Sequence, residues 1–549
     1  MAKSGQNSTE NGPAEAEILH DIAESLHTSR SRDLSFYIVL ILAVIPLWSV
    51  VPAAWAFVIY ALHSGKIWSF AWKGRSLFAL ALVEAWNLTN SYCVSANSSI
   101  QVFFSVYHYH LAKCIRAPSS ASHSDFNELQ AAFRRVLQSG LAELPEYGYD
   151  EEDVGRPGSP EEDIIALERH DPRAVDFRNY LRTWFGKVPW SSVRRQEMFA
   201  WLHWSIYNAP FTSLDALPPA RQKVLLEVLS MLEKRAGTSI PDGTNPHARP
   251  LLLTLDPVSV TWRPFFWYAG VALSNYYQRR RYESKYILRI PHAWTAESGP
   301  RPVVFMHGLG LGLTQYQLFL GDLFHAVNDR PVLVPLQPHV SQEIFHARYL
   351  RPMGRHESAD VLAELLVKLG WARDQTKDVD VAGQEDANGV TVVSHSNGSF
   401  LHAWLLKAHP EMVSRSCFVD PVTFCSWEGD LCYNFIYRRC TTGLELVMKY
   451  FVGMELGVAN FLQRHFDWSA NALWYEQIPN ARDPSRTMFF LGGRDAIVDA
   501  SRVKRYLTSH GIRKGLWFDP DGRHGQALLA GGKEHAEILR WLCEPTPRL

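Results

Sequence analysis

The chain has 549 residues, and a length of this order corresponds to roughly two to four domains. Apolar residues make up 47% of it and charged residues 20%, which are the proportions of a globular protein with a large core. The formal net charge is −1, and the sequence has no long Lys/Arg run and no zinc-finger or RNA-binding signature. Because nucleic-acid binding needs a concentrated basic face, no nucleic-acid partner is expected.

The seven cysteines do not support a metal site. Cys425, Cys432 and Cys440 are separated by seven and eight positions, so they lack the two-residue spacing of a structural zinc site. We therefore expect unpaired, mostly buried thiols and no bound metal.

Residues 34–62 depart from the globular pattern because they contain no charge in 29 positions. A transmembrane helix needs about 20 apolar residues, so this segment can cross a bilayer once with tilt. A polar leader, residues 1–33, precedes it, which favours an anchor over a cleaved signal peptide. Pro46 and Pro52 leave a hairpin open, and a buried core helix is the other alternative. Basic residues flank both ends, so the orientation stays open.

Three further segments precede the part of the chain that carries the chemistry. Residues 63–142 predict a membrane-proximal helical segment, and the acid-rich residues 143–175 predict a flexible linker. Residues 176–284 predict a helical extension, in which apolar residues at helical spacing over 222–235 are followed by Gly237 as a stop. No chemistry can be assigned to this extension.

From residue 285 to 549 the pattern alternates between strand and helix. Strands are predicted at 286–290, 302–308, 331–336, the start of 390–410, 417–421, 487–495 and 516–525, with helices between them. Repeated β-α units predict an α/β fold with a mostly parallel sheet flanked by helices.

The centre of the chemistry is the pentapeptide Ser394-His395-Ser396-Asn397-Gly398, which joins an apolar strand to a helix. A serine hydroxyl is a weak nucleophile unless a base removes its proton and a sharp turn exposes it. Such a strand-to-helix turn requires small residues two positions before and two after the nucleophile, and Ser394 and Gly398 fit. The alternative is an ordinary serine cap of a helix.

Four motifs in one order extend this observation: HGLGLG (307–312), SHSNG (394–398), GGRDAIVD (492–499) and DGRHG (521–525). With them the segment 285–545, about half of the chain, resembles the α/β-hydrolase fold family of lipases, esterases and related acyl hydrolases. The order of nucleophile, acid and histidine in that family is matched by Ser396, Asp495 and His524.

The resemblance implies a role for each of these residues. Asp495 would hold the imidazole of His524, and His524 would act as the base for Ser396. Asp420, after the preceding strand, and Asp499 are alternative acids, although Asp420 before a proline also fits a turn cap.

The glycine-rich loop resembles the oxyanion loop of the family. It implies that the amides of Leu309 and Asn397 bind the oxyanion, with Gly308, Gly310 and Gly398 as motif glycines. Nucleotide binding is the alternative for such a loop, but no lysine or acidic residue follows at the required distance.

The resemblance also implies a helical cap over the site at about 422–485. This segment is apolar and aromatic, as expected for a lid over a hydrophobic acyl chain, and core packing would explain the same composition.

Together these patterns predict a membrane-anchored serine hydrolase that cleaves a carboxylic ester of a hydrophobic, lipid-like substrate without any cofactor. The expected partners are a small-molecule or lipid ester and the lipid bilayer, and single-pass insertion into an endomembrane such as the endoplasmic reticulum is expected. The alternatives are an acyltransferase with the same triad and a non-catalytic scaffold of the same fold. The oligomeric state stays open.

Overall fold

The computed structural model describes residues 31–87, 102–119, 126–138, 165–281, 287–296, 299–372 and 389–545. The predicted polar leader, apart from its last three residues, lies outside these ranges. The predicted acidic linker lies outside them over 143–164.

A seven-stranded sheet forms the centre of the molecule. Its strands are β1 (Ile287–Arg289), β2 (Val303–Met306), β3 (Val332–Val334), β4 (Val390–His395), β5 (Val413–Val419), β6 (Thr487–Gly492) and β7 (Leu516–Asp519). The order is β1-β3-β2-β4-β5-β6-β7, and only the edge pair β1–β3 is antiparallel. The predicted mostly parallel sheet is confirmed.

Both faces of the sheet are buried, as a parallel sheet requires. On β2, Val304 belongs to one apolar cluster, whereas Val303 and Phe305 belong to the cluster on the opposite face. On β4, Val392 and Val393 divide in the same way. Side chains alternate along a strand, so these continuous apolar runs supply two cores at once.

Helices cover both faces and extend the molecule on one side. Before the sheet lie α1 (Leu34–His63), α2 (Trp72–Ala85), α3 (Phe104–Cys114), α4 (Phe126–Gln138), α5 (Pro172–Leu181), α6 (Arg195–Tyr207), α7 (Pro219–Ala236) and α8 (Phe265–Arg281). Between the strands and after them lie α9 (Gln317–Ala326), α10 (Arg355–Lys368), α11 (Gly398–Ala408), α12 (Asp430–Cys432), α13 (Gly443–Met448), α14 (Leu456–Arg464), α15 (Trp468–Asn471), α16 (Ala500–Ser509) and α17 (Lys533–Cys543). Helix α7 ends at Gly237, which has a φ of 64°.

The helical extension packs into the same apolar cluster as one face of the sheet. Trp184 Nε1 donates to Trp427 O at 2.9 Å, and Gly429 N donates to Thr183 Oγ1 at 2.9 Å. Both contacts join the extension to residues 422–485, which we call the cap segment. The division of the chain into domains stays a prediction.

A buried ion-pair cluster makes a second connection. Arg502 on α16 contacts Asp176 of the extension at 2.6 Å and Glu428 of the cap segment at 2.8 Å. Burial raises the pKa of Glu428 to about 7, although the Arg502 guanidinium opposes that rise. Removing one partner of such a buried cluster leaves an uncompensated charge, so the cluster fixes these three segments together.

Helix α1 is long and apolar enough to cross a membrane, and it is the one such helix among the described residues. It is continuous from Leu34 to His63, with a π-helical turn at Leu40–Val44, so the described chain forms no hairpin here. Pro52 cannot donate to the carbonyl of Trp48, the acceptor four residues before it. Trp262 Nε1 donates to Trp48 O instead, at 3.0 Å, and the two indoles stack.

The first turn of α1 is attached to the cap segment. Asp33 N donates to Thr441 O at 2.9 Å, and Gly443 N donates to Ser35 Oγ at 2.8 Å. The close approach requires glycine, because a Cβ on Gly443 would lie 2.6 Å from Ser35 O. The apolar helix therefore begins directly beside the cap segment.

Candidate active site

Ser396 lies at the sharp turn between β4 and α11, with a φ of 52°. A left-handed conformation is strained for a residue with a side chain and is found mainly at functional turns. Gly398 makes the turn possible, because a Cβ there would lie 2.1 Å from Met306 O. The turn places the serine hydroxyl at the carboxyl edge of the sheet.

Ser396, His524 and Asp495 form one hydrogen-bonded chain. Ser396 Oγ lies 2.8 Å from His524 Nε2, and His524 Nδ1 lies 2.5 Å from Asp495 Oδ2. Burial lowers the pKa of His524, and the Asp495 carboxylate outweighs burial, so the pKa lies above its ordinary value. The arrangement can remove a proton from the serine and stabilise the resulting imidazolium.

The two alternative acids have other partners. Asp420 accepts hydrogen bonds from Gly492 N at 2.9 Å and from Gly525 N at 2.7 Å, and it makes no hydrogen bond to the imidazole. Burial raises the pKa of Asp420 to about 6. Asp499 caps α16 by accepting from Arg502 N at 3.0 Å. Asp420 thus links the segment that leads to Asp495 with the loop that carries His524.

Asp420, Asp495 and His524 also form the one described group whose ligand atoms lie close enough, within 4.8 Å of one another, to hold a metal ion. The hydrogen bonds described above already engage both carboxylates and both ring nitrogens. Asp420, Asp495 and His524 therefore fit the hydrogen bonds that they already make better than they fit a cation site.

The glycine-rich loop after β2 lies against the serine turn. A Cβ on Gly308 would lie 3.0 Å from Ser396 Cβ, and Gly310, with a φ of 142°, donates from its amide to Val340 O. Within the described residues the amides of Leu309 and Asn397 have no hydrogen-bond acceptor. Two unpaired amides beside a serine hydroxyl can bind an oxyanion.

An apolar cavity opens at Ser396. Its walls include Leu309, Phe400, Leu431, Phe435, Leu462 and Phe466, so the cap segment contributes most of them, and Leu253 of the extension adds to them. Asn397 Oδ1 is buried at this cavity and has no hydrogen-bond partner among the described residues. The cavity can accept an alkyl chain attached to a reacting carbonyl.

The strand order, the strand-turn-helix at Ser396 and the positions of Asp495 after β6 and His524 after β7 together decide the fold. The chain has the α/β-hydrolase fold. The predicted resemblance to the α/β hydrolases is confirmed at the level of fold, and the helical extension and α1 precede the hydrolase sheet in the chain.

No protein-family model matches the chain, and no curated protein matches its sequence. An α/β hydrolase enzyme from the metagenome of lagoon sediments at Mar Chica, Morocco, is 15% identical over 47% of this chain and 94% of its own, with a TM-score of 0.31. A monoacylglycerol lipase from Paleococcus ferrophilus is 15% identical over 47% of this chain and 99% of its own, with a TM-score of 0.29. A bacterial membrane phospholipase A is 15% identical over 51% of this chain and 92% of its own, with a TM-score of 0.30.

Tyr316 and His395 are site residues that the sequence patterns missed. Tyr316 Oη accepts from Gly308 N at 2.8 Å and lies 2.7 Å from His395 Nδ1. Burial raises the pKa of Tyr316 to about 12 and lowers the pKa of His395, so both groups are neutral. The tyrosine hydroxyl can then donate to His395, and it joins the glycine-rich loop to the serine turn.

Replacing Tyr316 by Phe should lower kcat for a short-chain ester by about 10- to 100-fold with little change in KM. The Gly308 amide would lose its buried acceptor, and the adjacent amide of Leu309 would lose its fixed position. Steady-state kinetics of the variant would measure this, with Tyr207→Phe on α6 as the matched control. An increase in KM at unchanged kcat would instead place Tyr316 in substrate binding.

Proposed function

We propose that this protein is a membrane-anchored serine hydrolase that cleaves a carboxylic ester of a hydrophobic substrate. The observation that carries the proposal is the hydrogen-bonded chain Asp495–His524–Ser396 at the mouth of an apolar cavity. A buried carboxylate, an imidazole and a serine in this order have the geometry of acyl-transfer catalysis.

In the first half of the proposed reaction, Ser396 Oγ attacks the ester carbonyl carbon while His524 Nε2 takes the hydroxyl proton. The amides of Leu309 and Asn397 donate to the oxyanion, and the Asp495 carboxylate stabilises the imidazolium. The bond from the carbonyl carbon to the alkoxy oxygen then breaks, and His524 gives its proton to the departing alcohol.

In the second half, His524 removes a proton from water, and the resulting hydroxide attacks the acyl-enzyme carbonyl. The bond to Ser396 Oγ breaks, the serine regains its proton from His524, and the carboxylic acid leaves. This chemistry needs only side chains, backbone amides and water, so the proposal includes no cofactor.

Two features support a hydrophobic substrate presented at a bilayer. The cavity walls are apolar apart from Ser396, Asn397 and Cys432. Helix α1 carries exposed apolar side chains, among them Leu34 and Leu42, both more than 70% exposed. Such a surface is stable in lipid and unfavourable in water, so we propose α1 as a single-pass anchor.

The test of the proposed function is reaction with a fluorophosphonate probe, followed by mapping of the modified peptide. We expect one adduct, on Ser396, because no other described serine is hydrogen-bonded to a histidine that has a carboxylate partner. An unlabelled wild-type protein would refute the proposal. Product analysis with and without an added alcohol separates hydrolysis from acyl transfer, since only a transferase would form the new ester in preference to the acid.

A further inference from the structure

A second, shallow pocket lies beside the apolar cavity. Phe435 and Ile497 line both, so the two spaces share a wall, and Ala496 and Ile497 of the second pocket directly follow Asp495. We call this second space the basic pocket because Arg438, Arg439 and Lys449 line it. The basic pocket therefore adjoins the cavity next to Ser396, with Phe435 and Ile497 between the two spaces.

The charges of the basic pocket do not balance. Glu445 is its one acidic lining residue, and its carboxylate pairs with Arg438 at 3.1 Å and caps α13 through Thr441 N and Thr442 N. Within the described chain, neither Arg439 nor Lys449 has a carboxylate partner. Two positive charges are left without an anion.

Lys449 is held in place rather than free in solvent. Its ammonium donates to Arg438 O at 3.0 Å, which leaves two of its three N–H groups for another acceptor. Burial lowers the pKa of Lys449; the neighbouring Cys440 opposes this shift, and Arg438 adds to it. An anion in the pocket would favour the charged ammonium and so raise the pKa of Lys449 again, which means that the site favours a negatively charged ligand.

The position of the basic pocket relative to α1 indicates where that ligand lies. The apolar helix begins at Leu34, and its first turn is bonded to Thr441 and Gly443, beside the pocket residue Cys440. The end of an apolar span lies at the boundary between hydrocarbon and headgroups, where the phosphate groups of a bilayer are found.

We propose that the basic pocket binds the phosphate of an ester phospholipid whose acyl chain fills the apolar cavity and whose carbonyl reacts at Ser396. This proposal rests on the proposed function and narrows its substrate class. The planar guanidinium of Arg439 can bind two phosphate oxygens, and Lys449 supplies a point charge. Because Phe435 and Ile497 line both spaces, the phosphate and the acyl chain of one molecule would lie in adjoining spaces.

The experiment compares two lipids with identical acyl chains, phosphatidylglycerol and diacylglycerol, each dispersed in uncharged detergent micelles with the full-length protein. The measured quantity is the ratio of kcat/KM for the phospholipid to kcat/KM for the neutral lipid. In Arg439→Gln/Lys449→Gln this ratio should fall by about 10- to 100-fold, the loss expected for hydrogen bonds to a charged group. Arg439→Lys, which keeps the charge, should retain an intermediate ratio.

Lys223→Gln is the matched control, since it removes one exposed positive charge from α7 and should leave the ratio at its wild-type value. An unchanged ratio in the double variant, or an equal loss for both lipids, would overturn the proposal. If inorganic phosphate inhibits diacylglycerol cleavage in wild type but not in the double variant, while the ratio of the two lipids is the same in both proteins, the pocket binds free phosphate and the lipid assignment is overturned. If the wild type reacts with a fluorophosphonate and the variants keep the wild-type ratio of kcat/KM values, only the headgroup site fails. The hydrolase proposal then stands.

Discussion

Replacement of Ser396 by Ala should lower kcat for any ester by about a millionfold and abolish fluorophosphonate labelling. The hydroxyl of Ser396 is the one group that the structure places at 2.8 Å from His524 Nε2, beside two unpaired amides. Without it, neither His524 nor the amides have a nucleophile to assist. The measurement is turnover of a short-chain ester by purified wild type and variant.

Ser394→Ala is the matched control from the same pentapeptide. Ser394 Oγ lies 2.9 Å from His402 Nδ1, and His402 Nε2 lies 3.1 Å from Ser416 Oγ, so this serine-histidine pair has no carboxylate. Ser394 and His402 are fully buried and do not line the cavity. Ser394→Ala should destabilise the fold by about 1–3 kcal/mol, because His402 loses a buried partner, and should still react with the probe. Equal loss of labelling in both variants would contradict the assignment of Ser396.

Asp495→Asn should lower kcat/KM by about 10,000-fold with the fold intact. Asp495 Oδ1 accepts from Ile497 N at 2.7 Å and Val498 N at 3.1 Å, and an asparagine oxygen can keep both bonds. The asparagine NH₂ would then face His524 Nδ1 and force the proton onto Nε2. In that tautomer Nε2 cannot accept the proton of Ser396.

Asp420→Asn distinguishes the alternative acid. Because Asp420 holds the backbone of Gly492 and Gly525 rather than the imidazole, we expect a loss of at most about 100-fold. Wild-type kcat/KM should rise with pH as His524 loses its proton, with a midpoint above the ordinary histidine pKa because Asp495 raises it. The charge of Asp420 also raises the pKa of His524, so Asp420→Asn should move the midpoint to lower pH. A larger loss for Asp420→Asn than for Asp495→Asn would exchange their roles.

The features that sequence patterns anticipated are those with a local cause. The serine turn needs a small residue at Gly398 because Met306 O lies against it, and that need is visible as spacing within five residues. The order of Ser396, Asp495 and His524 follows from the order of the strands, and the structure brings the three together. Their catalytic roles remain predictions that the variants above would test.

The missed features depend on contacts between distant segments. The Tyr316–His395 contact joins residues 79 positions apart, and no spacing rule points to it. The tie between Asp420 and Gly525 crosses 105 positions. Similarly, the apolar run of α1 predicts a helix, but its attachment to the cap segment depends on Gly443, which follows Ser35 by 408 positions.

Leu253, in the helical extension, lines the apolar cavity at Ser396. The proposed substrate selectivity therefore depends on a part of the chain that carries none of the proposed catalytic residues. The proposed reacting groups all lie after residue 300, whereas part of the cavity surface comes from Leu253, in the chain before the sheet. Substitutions in that earlier stretch can reshape the space for the acyl chain without touching Ser396, Asp495 or His524. If the proposed reaction is correct, its selectivity can diverge in evolution while the catalytic groups stay the same, because the two are encoded in different stretches of the sequence.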